Sequence, residues 1–171
     1  MSQRWVTKRR TAAPVDVTTE IEIDRPRHEV AAYAADPDNA PSWYVNIKEV
    51  EWQTPRPATV GSRIAFVARF LGRRLAYTYE IEALDPGERL VMRTSEGPFP
   101  METTYAWSDA VSGGTHMTLR NRGAPRGFPR VASPLMAAAV RRANRKDLQR
   151  LKRLLELDAD AQSGSSGTDS P

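Results

Sequence analysis

GFPRVASPLMAAAVRRANRKDLQRLKRLLEL, residues 127–157, is the stretch that decides the fold. Its apolar residues Val131, Leu135, Met136, Val140, Leu148, Leu151 and Leu155 recur mostly three and four apart, the spacing that lines one stripe of an α-helix. Such a stripe must be buried against something. The apolar partner available is the long run of alternating, strand-like sequence that precedes it. An α+β chain of this order, sheet first and one long helix last, leaves a hollow where a curved sheet meets the helix.

Working back from the helix, residues 63–71 and 74–84 alternate and flank Gly72-Arg73, a two-residue turn of the kind that closes β-hairpins. Placing Leu71 opposite Arg74 pairs Phe70 with Leu75, Ala68 with Tyr77, Phe66 with Tyr79 and Ile64 with Ile81. A slip of one residue would turn every apolar side chain outward. Residues 15–24 (VDVTTEIEID) read as a half-buried first strand. Pro26 suits the first turn of a short helix through HEVAAYAAD, and DPDNAPSW allows at most one further helical turn. Residues 45–52 form a second strand whose alternation breaks near Glu49, as at a bulge. The DPGE turn at 85–88 and the Gly113-Gly114 turn separate the remaining strands, about seven in all. Residues 1–13 and 158–171 are expected to be disordered tails around a single domain, 14–157, because the last segment is small, polar and rich in Gly and Ser.

The chain has no cysteine, which excludes a disulfide scaffold, a thiolate nucleophile and Cys-ligated zinc. Its N-terminus, MSQRWVTKRRTAAP, is basic but has no apolar core of a secretory signal, so a cytoplasmic protein is expected. No stretch approaches the ~20 apolar residues needed to span a bilayer. Neither His28 nor His116 has further ligands at metal-binding spacing, and no cofactor motif is present.

The sheet face that meets the helix collects Val17, Thr19, Ile21, Ile23, Ile64, Phe66, Phe70, Tyr77, Tyr79, Ile81, Leu90, Met92, Thr103, Tyr105, Trp107, Met117, Leu119 and Asn121. None is Asp, Glu, His, Lys or Arg. General acid–base catalysis near neutral pH uses a group tuned toward that range, usually His or a carboxylate. An apolar, aromatic lining with a few hydroxyls and amides suits instead the binding of a flat hydrophobic ligand. The candidate contacts are Phe66, Phe70, Tyr77, Tyr79, Met92, Tyr105, Trp107 and Met117 from the sheet and Met136, Val140 and Asn144 from the helix, with Trp43 as a lip over the mouth. Core packing competes for every one of these residues. Asn144 discriminates best, because an unpaired amide on a buried stripe costs roughly 1–3 kcal/mol.

From Arg120 to Arg153 there are eleven Lys or Arg against one acid, Asp147. Arg141, Arg142, Arg145, Lys146, Arg150 and Arg153 fall on the solvent side of the helix. That face is either simply solvated or a surface for an anionic partner: a lipid headgroup, an acyl carrier protein or RNA.

The opening IEIDRPRHEVAAYAADPDNAPSW, then VGSRIAF, LDPGERLVMR and GGTHMTL before the helix, resemble in order and spacing the SRPBCC (START-like) superfamily over about Val15 to Leu157. The chain is similar to its polyketide cyclase/dehydrase-like or coenzyme-Q-binding-like members. The resemblance implies a helix-grip fold and a lipid, quinone or aromatic polyketide-like ligand held without a cofactor. It also implies two alternatives: a cyclase or dehydratase acting by substrate orientation, and an interaction module for RNA or the ribosome on the basic helix.

Overall fold

The structure, a computed structural model, describes residues 15–70, 73–96, 100–123 and 133–164. The elements follow as β1 (Val15–Ile23), α1 (Arg27–Ala35), a 3-10 turn (Pro37–Asn39), α2 (Ala40–Trp43), β2 (Ile47–Trp52), β3 (Arg63–Phe70), β4 (Arg73–Asp85), β5 (Arg89–Glu96), β6 (Met101–Asp109), β7 (Thr115–Gly123) and α3 (Ser133–Gly164). The seven strands form one antiparallel sheet in the order β1-β7-β6-β5-β4-β3-β2. With α3 laid across it, this is the expected α+β helix-grip arrangement.

Local chemistry explains the breaks. Asp36 precedes a proline, which disfavours helical backbone, and it stands at φ −75°, ψ 115°, ending α1. Its carboxylate then accepts from the Asp38 amide at 3.0 Å and starts the next turn. The anticipated irregularity in β2 lies between Ile47 and Glu49. Gly114 packs so tightly beneath β1 that any Cβ there would collide with the Ile23 carbonyl oxygen.

The β3–β4 pairing differs from the expected one by two residues. Phe66 lies opposite Tyr77, Ile64 opposite Tyr79 and Phe70 opposite Arg73, while Gly72 of the expected turn lies outside the described residues. Alternation separates the two faces of a strand but repeats every two residues, so a shift of two keeps every side chain on its side. The outward face carries cross-strand pairs, among them Arg63–Glu96 at 2.6 Å, Arg93–Glu102 at 2.7 Å and Arg74–Glu51 at 2.6 Å. Exposed as they are, these favour the register by only a few tenths of a kcal/mol each, about 0.2–1.

The core gathers Ile23, Ile64, Ile81, Leu90, Met117 and Leu119 from the sheet, Val30, Ala31 and Ala34 from α1, Trp43 from α2, and Leu148, Leu151 and Leu155 from α3. The two halves of α3 behave differently. The second half is fastened to β1: Lys152 Nζ donates to the Glu22 carbonyl at 2.7 Å, and Glu156 Oε1 accepts from the Asp24 amide at 2.9 Å. In the first half Met136 and Val140 are only half-buried, and Leu135, expected on the buried stripe, is 77% exposed. Each residue advances the helix by about 100°, so Leu135 stands about 140° round from Leu148 and off the stripe. The expected start at Gly127 and Val131 lies outside the described residues, as do residues 1–13. At the other end α3 continues to Gly164, past the expected start of the tail at 158.

Leu151, with no exposed surface, and Leu135 therefore make a matched test. Leu151→Ala is expected to lower stability by about 2–5 kcal/mol and the melting midpoint by roughly 5–15 °C. Leu135→Ala should change stability by less than about 0.5 kcal/mol. Thermal denaturation followed by circular dichroism checks both, and equal losses would refute the division of the helix.

Candidate functional site

The predicted lining separates by depth. Met92, Tyr105, Trp107 and Met117 are at most 5% exposed and Phe66 is 7% exposed, all within the continuous core. Tyr105 meets Trp107 edge-on at 5.9 Å and Trp43 at the same distance. The space among Trp43, Phe66, Leu90, Met92 and Tyr105 is only about 10 Å³, too small for a ligand. Trp43 is fully buried, stacked on Tyr44 at 3.9 Å. It is thus a staple between α2 and the sheet, not a lip, because its large apolar ring gains most where water is excluded.

Toward the other end of the sheet the lining opens. Tyr77, Tyr79, Thr94 and Met101 on β4, β5 and β6 are half-buried, as are Met136 and Val140 on the first half of α3. Phe66 stands edge-on to Tyr79 at 5.8 Å, linking this region to the core. Phe70 belongs to the same strand face, but its side chain lies outside the described residues. The Tyr79 hydroxyl donates to Met101 Sδ at 3.5 Å. Burial pushes Tyr79 up to about 12, with Thr103 partly offsetting it, so the phenol stays protonated and works as a hydrogen-bond donor rather than a base.

Behind Tyr79 runs a chain of amides. Thr103 Oγ1 donates to Asn121 Oδ1 at 2.8 Å, and Asn121 Nδ2 donates to Asn144 Oδ1 at 3.1 Å. The chain bridges β6, β7 and α3. Asn144 is 4% exposed, and its Nδ2 has no partner among the described residues.

One ionisable group escaped the sequence reading. Asp147, counted there only as the single acid in a basic run, is 5% exposed. It lies four residues before Leu151, about 40° from it around the helix, so the stripe that identified Asn144 also contained Asp147. Its Oδ1 accepts from the Val45 amide at 2.9 Å, tying α3 to the connection between α2 and β2. Nearby, the Tyr44 and Tyr105 hydroxyls share a 2.5 Å hydrogen bond. Burial raises Asp147 to about 6, against the lowering effects of the Val45 amide, Arg150 and Lys146. Burial also raises both tyrosines well above their ordinary range, Asp147 adding to the effect. The described lining of the sheet therefore brings tyrosines but no Asp, Glu, His, Lys or Arg, whereas the helix brings Asp147.

Arg141, Arg142, Arg145, Lys146 and Arg153 are exposed and Arg150 half-buried. None forms an ion pair among the described residues, and nothing in the structure shows an anionic partner there. No helix is long and apolar enough to cross a membrane, a statement confined to the described residues. Outside the grip, a hollow of about 320 Å³ between α1 and the β4–β5 turn is lined by Ala31, Ala32, Ala35, Leu84, Pro86 and Trp107, with His28 and Asp85 at its rim.

Residues 14–156 match the family described as polyketide cyclase / dehydrase and lipid transport. The chain belongs to that family. Solved structures agree on the fold of this cyclase/dehydrase-family protein. It is similar to the ZhuI aromatase/cyclase from Streptomyces sp. R1128, at 16% identity and TM-score 0.70, covering 84% of this chain and 94% of that one. It is similar to the di-domain aromatase/cyclase StfQ of the steffimycin pathway, at 12% identity and TM-score 0.71, covering 86% of this chain but 52% of that one. A Staphylococcus aureus protein of unknown function is as similar, at 16% identity and TM-score 0.69, covering 86% and 97%. Among curated proteins no sequence matches.

Asp147 makes a pH prediction. Its carboxyl is protonated up to about pH 6 in the folded protein but ionises near the ordinary value of 3.8 in the unfolded chain. Between those values the folded state holds the extra proton. The stabilising contribution is therefore complete below pH 3.8 and lost as pH rises through about 6. Asp147→Asn, which keeps an acceptor for Val45, should be about 1–3 kcal/mol more stable than the native protein at pH 7.5 and nearly equal to it at pH 4. Thermal melts at the two pH values decide it. A variant equally weakened at both would contradict the buried-acid account.

Proposed function

We propose that this protein binds a hydrophobic, aromatic or polyketide-like small molecule at the open end of the sheet, between Tyr77, Tyr79 and Met101 on one side and Met136 and Val140 on the other. The observation that carries the reading is the contrast in burial along one face. Trp107, Met117 and Leu119 are sealed, whereas Tyr77, Tyr79 and Met101 farther along the face are half-covered, as are Met136 and Val140 on the helix. Half-covered rings beside a few hydroxyl and amide groups match the composition of small-molecule sites. The family description, which joins cyclisation, dehydration and lipid transport, supports the same class of ligand.

Binding without turnover is favoured by the protonation states. Tyr79 holds its proton to about 12, and Asp147 is buried and engaged by the Val45 amide near the Tyr44–Tyr105 pair, so neither is poised to take a proton from a ligand. A second reading, a cyclase or dehydratase that folds a poly-β-ketone chain by orientation, draws on the likeness to the two aromatase/cyclases. In that case Tyr79 and Asn144 position the chain.

Non-denaturing mass spectrometry of freshly purified protein tests the proposal, with titrations of a fatty acid, a short-chain quinone and a hydroxylated anthraquinone. A retained mass, or saturable binding weakened about two- to tenfold by Tyr79→Phe, is the expected result. No retained mass and no binding of any of the three up to their solubility limits would overturn it. Turnover of a poly-β-ketone mimic that disappears in Tyr79→Phe would instead establish the second reading.

A further inference from the structure

We propose that the outward face of α3 rests on an anionic phospholipid surface, Leu135 and Leu157 entering the acyl boundary while the cations between them meet headgroup phosphates. The proposal does not depend on what the sheet holds. Away from α3, Arg27, Arg56, Arg63, Arg74, Arg93 and Arg120 each meet a carboxylate, at 2.6–3.1 Å. On α3, Arg142, Lys146 and Arg153 are exposed and meet none among the described residues. The two acids within 133–157 are turned elsewhere: Asp147 accepts from the Val45 amide and Glu156 from the Asp24 amide. Positive charge on this one face is therefore left uncompensated.

The same face carries the exposed leucines of the described residues, Leu135 at 77% and Leu157 at 64%. At 100° per residue, Arg142, Lys146, Arg153 and Leu157 all lie within about 40° of Leu135 around the helix axis. The buried Leu148, Leu151 and Leu155 stand on the opposite side. The outer line from Leu135 to Leu157 is about 33 Å long. Charge alone admits any polyanion, and the arrangement selects among them. Nucleic-acid surfaces interleave aromatic rings that stack on bases, and residues 133–157 contain none. Protein interfaces place apolar groups at the centre and charge at the rim, whereas here the cations are central and the leucines terminal. A bilayer runs flat beneath the whole line, sets phosphates opposite the cations and shelters both leucines from water.

The test is co-sedimentation of the native protein with phosphatidylcholine vesicles and with vesicles that also carry phosphatidylglycerol. Association is expected with the second kind alone, falling steeply between about 0.05 M and about 0.5 M salt as screening shortens the reach of each charge. One cation near such a surface strengthens binding about fivefold, so Arg142→Gln, Lys146→Gln and Arg153→Gln together should weaken it about 100-fold. Arg63→Gln, Arg93→Gln and Arg120→Gln on the outward sheet face remove the same charge and should weaken it less than about tenfold. Leu135→Gln with Leu157→Gln should weaken it about three- to tenfold. The comparison of vesicle compositions needs no variant, so it stands even if a substitution unfolds the chain. Equal association with both compositions, association with neither, a sheet-face triple as damaging as the helix triple, indifference to the two leucines, or retention by RNA in place of vesicles would each overturn the proposal.

Discussion

The attachment of the second half of α3 to β1 is the constraint on which the remainder of the structure depends. That helix carries many cations and few acids, and in isolation it has little reason to approach a sheet. Leu148, Leu151 and Leu155 supply the apolar area, and Lys152 and Glu156 fix the position by reaching main-chain groups at the end of β1. Burying three leucines contributes on the order of 5–8 kcal/mol before ordering costs, far more than the exposed ion pairs on the opposite sheet face. With that end held, the first half of α3 keeps Met136 and Val140 half-buried and Leu135 exposed. The uneven burial of the helix follows from how unevenly apolar residues are distributed along it.

How much of this could be read from the chain depended on the period of each signal. Strand alternation places Ile64, Phe66, Ile81, Leu90, Met92, Tyr105, Trp107, Met117 and Leu119 in the core, because that assignment needs only parity. It does not choose between partners two residues apart, so Phe66 is expected opposite Tyr79 and stands opposite Tyr77, its ring still reaching Tyr79 across the diagonal. Helical spacing located Asn144 and the three core leucines, yet accumulated angle over thirteen residues and misplaced Leu135. Asp147 was overlooked for a chemical reason. In a run of cations an acid reads as a surface counter-charge, and only the geometry of Val45 reveals that its carboxylate has a buried partner. Trp43 differs for the complementary reason: a Pro-rich turn suggests a surface loop, whereas the indole here is fully buried.

The polar groups of the interior form two arrangements of different character. The Tyr44–Tyr105 pair is sealed by aromatic rings and stabilises the joint between α2 and the sheet. The Thr103–Asn121–Asn144 series lies between helix and sheet and ends in an unused donor. A fully satisfied network adds rigidity, whereas one with a vacancy is costly unless something completes it. Buried donors without a partner among the described residues occur in both, at Trp43 Nε1 and Trp107 Nε1 beside the tyrosines and at Asn144 Nδ2 at the end of the amide series.

Trp107 belongs to two spaces at once. One side of its indole packs edge-on against Tyr105 in the core, and the same residue lines the outer hollow beside α1. The indole of Trp107 therefore stands between the outer hollow and Tyr105, whose hydroxyl bonds to Tyr44. Replacement by a short side chain would breach that partition and hydrate the tyrosine pair from behind, so what the position demands is a watertight plate rather than mere bulk.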